Sequence, residues 1–220
     1  LMQLQSGERA VLNQKPLAVV DEDRRATLVA CNAHAYARGV RVGHSLNASI
    51  ALCAEMQFLP RQPDAEGELL QQIATQCENY TSFVSVEPPN ELLLEVRGSF
   101  RLFGGINGLL ERIRADLDAR GLAPQLALTS TPQSALWLSR IAREPIVVKP
   151  RELIATLAKL PVSYVLWPPE IELRLARFGV LTLGDLLRLP RAGLSRRIGH
   201  ERLAELELAY WKASVTTRPM

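Results

Sequence analysis

The alternation of apolar and polar residues over the first 60 positions predicts three short strands and two helices. Residues 16–20 form an apolar run that begins with a proline and predict a strand, and residues 26–31 predict a second strand. Asn32 and Ser45 are each placed to cap a short helix, because their side-chain oxygens can accept from free N–H groups of the first turn. Residues 57–60 predict the third strand.

The next segment, up to about residue 145, mixes both kinds of element. Apolar positions at helical spacing predict three helices, over residues 64–80, 109–117 and 134–143. Strands are predicted over residues 83–87, 91–96 and 125–129, the first two as a hairpin with Pro88, Pro89 and Asn90 in its turn. This order predicts an α+β fold in which helices cover one face of an antiparallel sheet.

Beyond residue 150 the pattern predicts helices only, separated by Pro161, Pro168, Pro169 and Pro190. We therefore expect a small all-helical domain that begins near residues 145–150.

Composition is typical of a globular protein, with 220 residues, 47% hydrophobic residues and a net charge of +3. No apolar stretch is long enough to span a membrane and no secretory signal pattern is present, so we expect a cytoplasmic protein. Three irregularly spaced cysteines, Cys31, Cys53 and Cys77, favour free thiols over disulfides or a metal site. Neither end has the pattern of a natural terminus, and we expect a fragment of a longer chain.

Net charge is unevenly placed along the chain. Basic and acidic residues are equal in number over residues 1–169, so the whole excess lies in residues 170–220. A basic excess in a helical segment is compatible with contact to nucleic-acid phosphates.

Two segments are candidates for chemistry. Glu87, Glu91 and Glu95 surround the predicted hairpin turn, either as carboxylates that converge on a pair of divalent cations or as polar positions of an exposed edge strand. Residues 194–203 place Ile198 and Gly199 between arginines at the start of a helix, either as a DNA-binding hairpin or as an ordinary turn. The chain has no motif for a nucleophile with its histidine base and no glycine-rich phosphate loop.

Several segments together resemble the Y family of translesion DNA polymerases, and more closely its ImuB branch. The segments that carry the resemblance are residues 16–21, 37–43, 84–89, 92–96 with 98–105, and 178–186. The resemblance implies fingers over residues 1–60, a palm over 61–147 and a helix-hairpin-helix thumb over 148–220. It also implies that the family's little-finger domain, and the upstream strand with its first catalytic aspartate, lie outside these residues.

The resemblance implies that the catalytic positions are vestigial. One alignment places the family's Asp-Glu pair at Asn90 and Glu91, and the other places it at Glu87 and Pro88, so neither retains both carboxylates. The triphosphate-binding Tyr and Arg align with Ala33 and Tyr36, and the palm lysine aligns with Trp137. We therefore expect no bound metal and no cofactor.

In the implied thumb, the first hairpin has lost its glycines, because residues 166–169 read Leu-Trp-Pro-Pro where a P-G-x-G turn is expected. The second keeps Ile198 and Gly199, and the arginines predicted to contact a DNA backbone there are Arg196, Arg197 and Arg202.

The function implied by the resemblance is that of a non-catalytic scaffold in damage-induced, SOS-type translesion synthesis and mutagenesis. Implied partners are the sliding clamp (through a region beyond these residues), an error-prone C-family DNA polymerase, a RecA-like accessory protein and, weakly through the thumb, primer-template DNA. Two alternatives stay open. They are a low-activity translesion polymerase with a degenerate metal site and a nonspecific duplex DNA-binding module.

Overall fold

The computed structural model describes residues 15–21 and 26–215, so the expectations about the two chain ends lie outside the described residues. The chain divides into two compact units, residues 1–69 and 70–220. Within the described residues the predicted α+β architecture is confirmed. The division into domains at residues 60 and 147 stays a prediction.

The first unit is organised around its central strand. It contains β1 (Leu17–Asp21), β2 (Thr27–Cys31), α1 (Ala33–Ala37), α2 (Leu46–Leu52), β3 (Gln57–Pro60) and the start of α3 (Pro63–Cys77). β1 lies between the other two strands, antiparallel to β2 and parallel to β3. Most side chains of β1 are buried, as expected for a continuous apolar run at the centre of a sheet.

Asn32 ties the first helix to this sheet. Its side-chain oxygen accepts from the backbone N–H of Ala35 at 3.0 Å, which caps α1, and from that of Leu17 at 3.1 Å, which holds the start of β1. Ser45 caps α2 through the N–H of Ala48. Both predicted helix starts are therefore confirmed.

The second unit holds the hairpin and the later helices. It contains the rest of α3, β4 (Val84–Glu87), β5 (Glu91–Leu94), α4 (Ile106–Asp118), β6 (Ala127–Leu128), α5 (Pro132–Ser139), β7 (Ile146–Val147), α6 (Leu153–Ala158), α7 (Pro169–Arg177), α8 (Leu183–Leu187) and α9 (Arg191–Val215). Single 3₁₀ turns lie at Arg97–Ser99, Pro150–Glu152 and Val162–Val165.

The described strands form three small sheets rather than one antiparallel sheet. The β4–β5 hairpin is antiparallel, but β6 and β7 pair in parallel, as do β1 and β3. The strand at Ile146–Val147 was not predicted, because a two-residue strand is too short to show a hydrophobic period. Helix α5 provides the crossover that a parallel β6–β7 pair requires.

One apolar cluster holds the hairpin against α3 and α4, and it includes Tyr80 and Leu109. The Tyr80 hydroxyl donates to Asp116 Oδ2 at 2.6 Å. This hydrogen bond is the main reason that the pKa of Asp116 lies below its usual range, while burial raises the pKa of Tyr80.

A second cluster joins α5 to the helices that follow residue 150. Trp137 and Leu138 of α5 pack in the same core as Leu157, Leu175 and Leu183. The helical segment therefore shares its core with the strand-containing segment before it. In the helical segment, α8 begins with a capping box in which the hydroxyl and backbone N–H of Thr182 donate to Asp185. These hydrogen bonds lower the pKa of the Asp185 carboxyl.

The sequence makes predictions about both membrane-spanning segments and cysteine pairing. Among residues 15–21 and 26–215, no helix is long and apolar enough to cross a membrane. Cys31, Cys53 and Cys77 are free thiols, as predicted.

Candidate active site and nucleic-acid interface

The hairpin of β4 and β5 places two candidate carboxylates opposite each other. Glu87 pairs with Glu91 in the strand register, at the two ends of the Pro88–Pro89–Asn90 turn. The Glu87 carboxylate accepts from the Ser85 hydroxyl at 2.7 Å, and Asn90 is exposed. The antiparallel pairing predicted from the sequence is thus confirmed.

Glu91 is bound by a guanidinium. Arg140 Nε donates to Glu91 Oε1 and Arg140 Nη2 donates to Glu91 Oε2, each at 2.7 Å. Both side chains are only 17% exposed, so the two-bond pair is shielded from solvent. Arg140 Nη1 also donates to the backbone oxygens of Tyr164 at 2.9 Å and Val165 at 3.0 Å.

The three hairpin carboxylates do not converge. Glu91 is bound to Arg140, Glu87 is bound to Ser85, and the Glu95 carboxylate accepts from the backbone N–H of Arg97 at 3.1 Å. Within the described part of the chain, no three His, Cys, Asp or Glu side chains are grouped closely enough to hold a metal ion. A pair of divalent cations needs several anionic oxygens a few ångströms apart, and this hairpin does not supply them.

A cavity of about 560 Å³ lies beside the hairpin, within the second unit. Its wall is mostly leucine and isoleucine, and Asn90, Glu91 and Arg140 supply polar groups on one part of it. The single cation there is already paired with a carboxylate, so the cavity offers little charge to match a triphosphate.

Three positions that the resemblance predicts to correspond to nucleotide-binding residues carry no cation. Ala33 is exposed and has no functional group. Tyr36 is 57% exposed, and the Arg41 guanidinium lies 3.6 Å from its ring centroid. Arg41 was not singled out from the sequence, and its Nη1 is bound to the backbone oxygens of Tyr36 and Val40.

The third position, Trp137, is fully buried in the core of the second unit, and its ring N–H has no hydrogen-bond partner. A buried indole packs the core and cannot contact a phosphate. The residue therefore has a structural role in this fold.

The second helical hairpin interrupts α9. Gly199 has φ 84° and ψ 164°, a conformation that favours glycine, and it separates two helical segments. Ile198 is buried and anchors the turn in the core. The first N–H groups of the following segment have no partner within the helix, and such groups are suited to bind a phosphate.

The three arginines of this hairpin differ in their surroundings. Arg196 is exposed. Arg197 Nη1 donates to the Gly193 carbonyl at 3.0 Å, and its guanidinium lies 5.3 Å from the Phe178 ring centroid. Arg202 is largely shielded and forms an ion pair with Glu201. Arg196 is thus the most available of the three to a DNA backbone.

The first helical hairpin cannot present glycine N–H groups. Leu166 takes the left-handed conformation with φ 61°, a position that glycine usually fills. The Trp167 ring N–H donates to Glu205 at 2.7 Å, and Pro168 and Pro169 have no backbone N–H at all. Trp167 packs in the apolar core of the second unit, and the two prolines offer a phosphate no backbone donor.

Comparison with known proteins decides the family. The model of the impB/mucB/samB family matches residues 1–140. The chain belongs to this family. The resemblance to Y-family polymerases, and to ImuB in particular, is confirmed.

Two kinds of curated relative are similar to this chain. ImuB of Caulobacter vibrioides is 27% identical over 176 residues, which is 80% of this chain and 38% of ImuB. DNA polymerase IV of Pseudomonas syringae is 29% identical over 204 residues, which is 87% of this chain and 56% of that polymerase. The chain therefore spans only part of the length of these relatives.

Solved structures show the same fold. DinB from Sulfolobus solfataricus matches with a TM-score of 0.76 at 18% identity, over 99% of this chain and 65% of that one. The insertion ternary complex of the Dbh DNA polymerase matches with a TM-score of 0.72 at 19% identity, over 94% of this chain and 64% of that one.

Replacement of Arg140 by alanine is expected to destabilise the second unit by about 2–3 kcal/mol. The change leaves a shielded carboxylate and two backbone oxygens without their donor. The matched control is Arg151→Ala, which removes an exposed ion pair with Glu152 and is expected to cost about 0.5 kcal/mol or less. Urea unfolding measures both, and equal effects would show that the Arg140 bonds contribute no more than a surface pair.

Proposed function

We propose that this chain is the fingers, palm and thumb part of a non-catalytic Y-family homologue that acts as a scaffold in damage-induced translesion synthesis and mutagenesis. The observation that carries the proposal is the bond between Glu91 and Arg140. A guanidinium occupies both oxygens of the carboxylate that one family alignment would assign to a catalytic metal.

Metal binding at this hairpin would require Glu91 to exchange a fixed cation for a divalent ion. The exchange costs the two bonds to Arg140, and Asn90 next to it supplies only a neutral oxygen. Pro88, the position of the catalytic glutamate in the other alignment, supplies no side-chain ligand. In either alignment, two-metal catalysis therefore lacks one carboxylate of the family's Asp-Glu pair.

Nucleotide binding lacks its cations for a separate reason. The alignment puts Ala33, Tyr36 and Trp137 where the family has groups that bind the triphosphate. Since phosphoryl transfer depends mainly on positioning and on electrostatic stabilisation of phosphate charge, the loss of these groups removes the main source of catalysis.

The partners proposed for the whole protein are the sliding clamp, an error-prone C-family polymerase and a RecA-like accessory protein, with the cytoplasm as the location. The chain covers 38% of ImuB, and we assign the clamp contact to a region outside these residues. The proposed division of the chain is fingers over residues 1–60, palm over 61–147 and thumb over 148–220.

Primer-template DNA is the proposed nucleic-acid partner of the thumb. Gly199 opens a helical segment whose first N–H groups are suited to bind a phosphate, with Arg196 and Arg197 beside it. Such contacts bind the DNA backbone without sequence preference. Because the first hairpin has prolines in place of N–H donors, we expect weak affinity.

A low-activity translesion polymerase is the second candidate. The similarity to DNA polymerase IV favours it, together with the retention of Glu87 and Glu91 at the hairpin. This candidate requires an aspartate in the upstream strand that the resemblance implies.

Primer extension by the full-length protein separates the two candidates. With Mg²⁺ or Mn²⁺ we expect no template-dependent incorporation above background, and no effect of Glu91→Ala, because Glu91 is already bound to Arg140. DNA polymerase IV of Pseudomonas syringae is the positive control. Incorporation that Glu91→Ala abolishes would overturn the non-catalytic proposal.

Duplex binding tests the proposed thumb contact. Arg196→Ala is expected to weaken binding of a 20-base-pair duplex and to reduce the slope of log Kd against log salt concentration by about one phosphate contact. The control is Arg120→Ala, which removes an exposed arginine near the end of α4. Fluorescence anisotropy at several NaCl concentrations gives both quantities, and an unchanged slope for Arg196→Ala would refute the contact.

A further inference from the structure

An exposed aromatic ring lies at the end of α7, outside the residues assigned above to the candidate sites. Phe178 is 64% exposed, whereas its neighbours Leu175 and Val180 are buried in the core. The core is therefore packed without this ring. A single exposed apolar side chain is ordinary at a protein surface, and Phe178 is distinguished by the arginines beside it.

Arginines are fixed around this ring by observed contacts. The Arg197 guanidinium lies 5.3 Å from the Phe178 ring centroid, and its Nη1 is held by the Gly193 carbonyl at 3.0 Å. Arg174, one helical turn before Phe178 on the same helix, donates from Nη1 to the Arg197 carbonyl at 3.0 Å. We call Phe178, Arg174 and Arg197 the Phe178 platform.

The platform combines the two groups that bind unpaired nucleotides. An exposed aromatic face stacks on a base, and every base has such a face. A guanidinium has five N–H groups, so a single bond to Gly193 leaves donors of Arg197 for a phosphate. Since both arginines are already held in place, little side-chain freedom is lost when a ligand binds.

We propose that the Phe178 platform binds single-stranded DNA, with one base stacked on the Phe178 ring and the adjacent phosphates bound by Arg174 and Arg197. Paired bases inside a duplex present only their edges, so stacking selects an unpaired strand. The proposal rests on the proposed DNA-binding role of the thumb and extends it from the duplex backbone to a single-stranded segment.

Nearby charge favours a nucleic acid over other anions. Arg177 is exposed on the same helix, and Arg196 is exposed next to Arg197. An acidic peptide is the other polyanion that would suit these arginines, but one made of glutamate has no aromatic ring to stack on an exposed phenyl ring. The aromatic dependence of binding therefore distinguishes the two ligands.

The test measures binding of fluorescein-labelled (dT)20 by the full chain, using fluorescence anisotropy. Phe178→Ala is expected to weaken binding about tenfold, because base stacking on an aromatic ring has an effect of that order. Phe178→Trp is expected to retain the affinity. The matched control is Leu173→Ala on the same helix, since Leu173 is similarly exposed but lacks an aromatic face.

Duplex binding and a competitor complete the design. A 20-base-pair duplex is expected to bind Phe178→Ala as it binds the unchanged chain. Poly-L-glutamate is expected to displace (dT)20 from the unchanged chain and from Phe178→Trp only at high concentration. If Phe178→Ala binds (dT)20 normally while the duplex still binds, the platform proposal fails alone. If neither DNA binds the unchanged chain, the DNA-binding role of the thumb fails with it.

Displacement by poly-L-glutamate at low concentration, combined with unchanged (dT)20 binding by Phe178→Ala, would identify a site for acidic peptides and overturn the proposal. Because Phe178 is exposed, its variants are expected to unfold at the same urea concentration as the unchanged chain, which shows that any loss of affinity is local.

Discussion

The guanidinium of Arg140 is the contact on which the organisation of the second unit depends. It follows the end of α5 and donates to Glu91 on β5 and to the carbonyls of residues 164 and 165. One planar group thus joins the hairpin, a core helix and the segment that leads into the first helical hairpin. Its fixed geometry supplies both charge and hydrogen bonds, which a lysine could not do in the same arrangement.

This contact also determines the electrostatics of the hairpin. A carboxylate that is mostly shielded from solvent needs a positive partner, and a protein can provide either a metal ion or a basic side chain. Arg140 is the partner in this structure. Two further positions predicted from the resemblance to face a nucleotide are engaged within the protein. Trp137 packs in the core, and the Tyr36 ring lies against the Arg41 guanidinium. The excess of basic over acidic residues lies entirely in the segment after residue 169.

Local signals predicted much of the fold. Asn32 and Ser45 cap their helices because capping involves atoms only three residues apart, and Glu87 and Glu91 are opposite each other because a short turn fixes the register. Gly199 marked the second hairpin because its backbone conformation favours glycine. Arg140 could not be found in this way, since 49 residues separate it from Glu91. The parallel β6–β7 pair and the left-handed Leu166 likewise depend on tertiary packing, which outweighs local preference.

The most direct test of the account is a count of Mn²⁺ ions bound by the intact protein in the presence of primer-template DNA and an incoming nucleotide. Electron paramagnetic resonance of free Mn²⁺ gives this number. If Arg140 is the cation of Glu91, the Mn²⁺ binding that remains after subtraction of the DNA and nucleotide background is zero, and Glu91→Ala leaves it unchanged. One or two protein-dependent Mn²⁺ ions that are lost in Glu91→Ala would contradict the account.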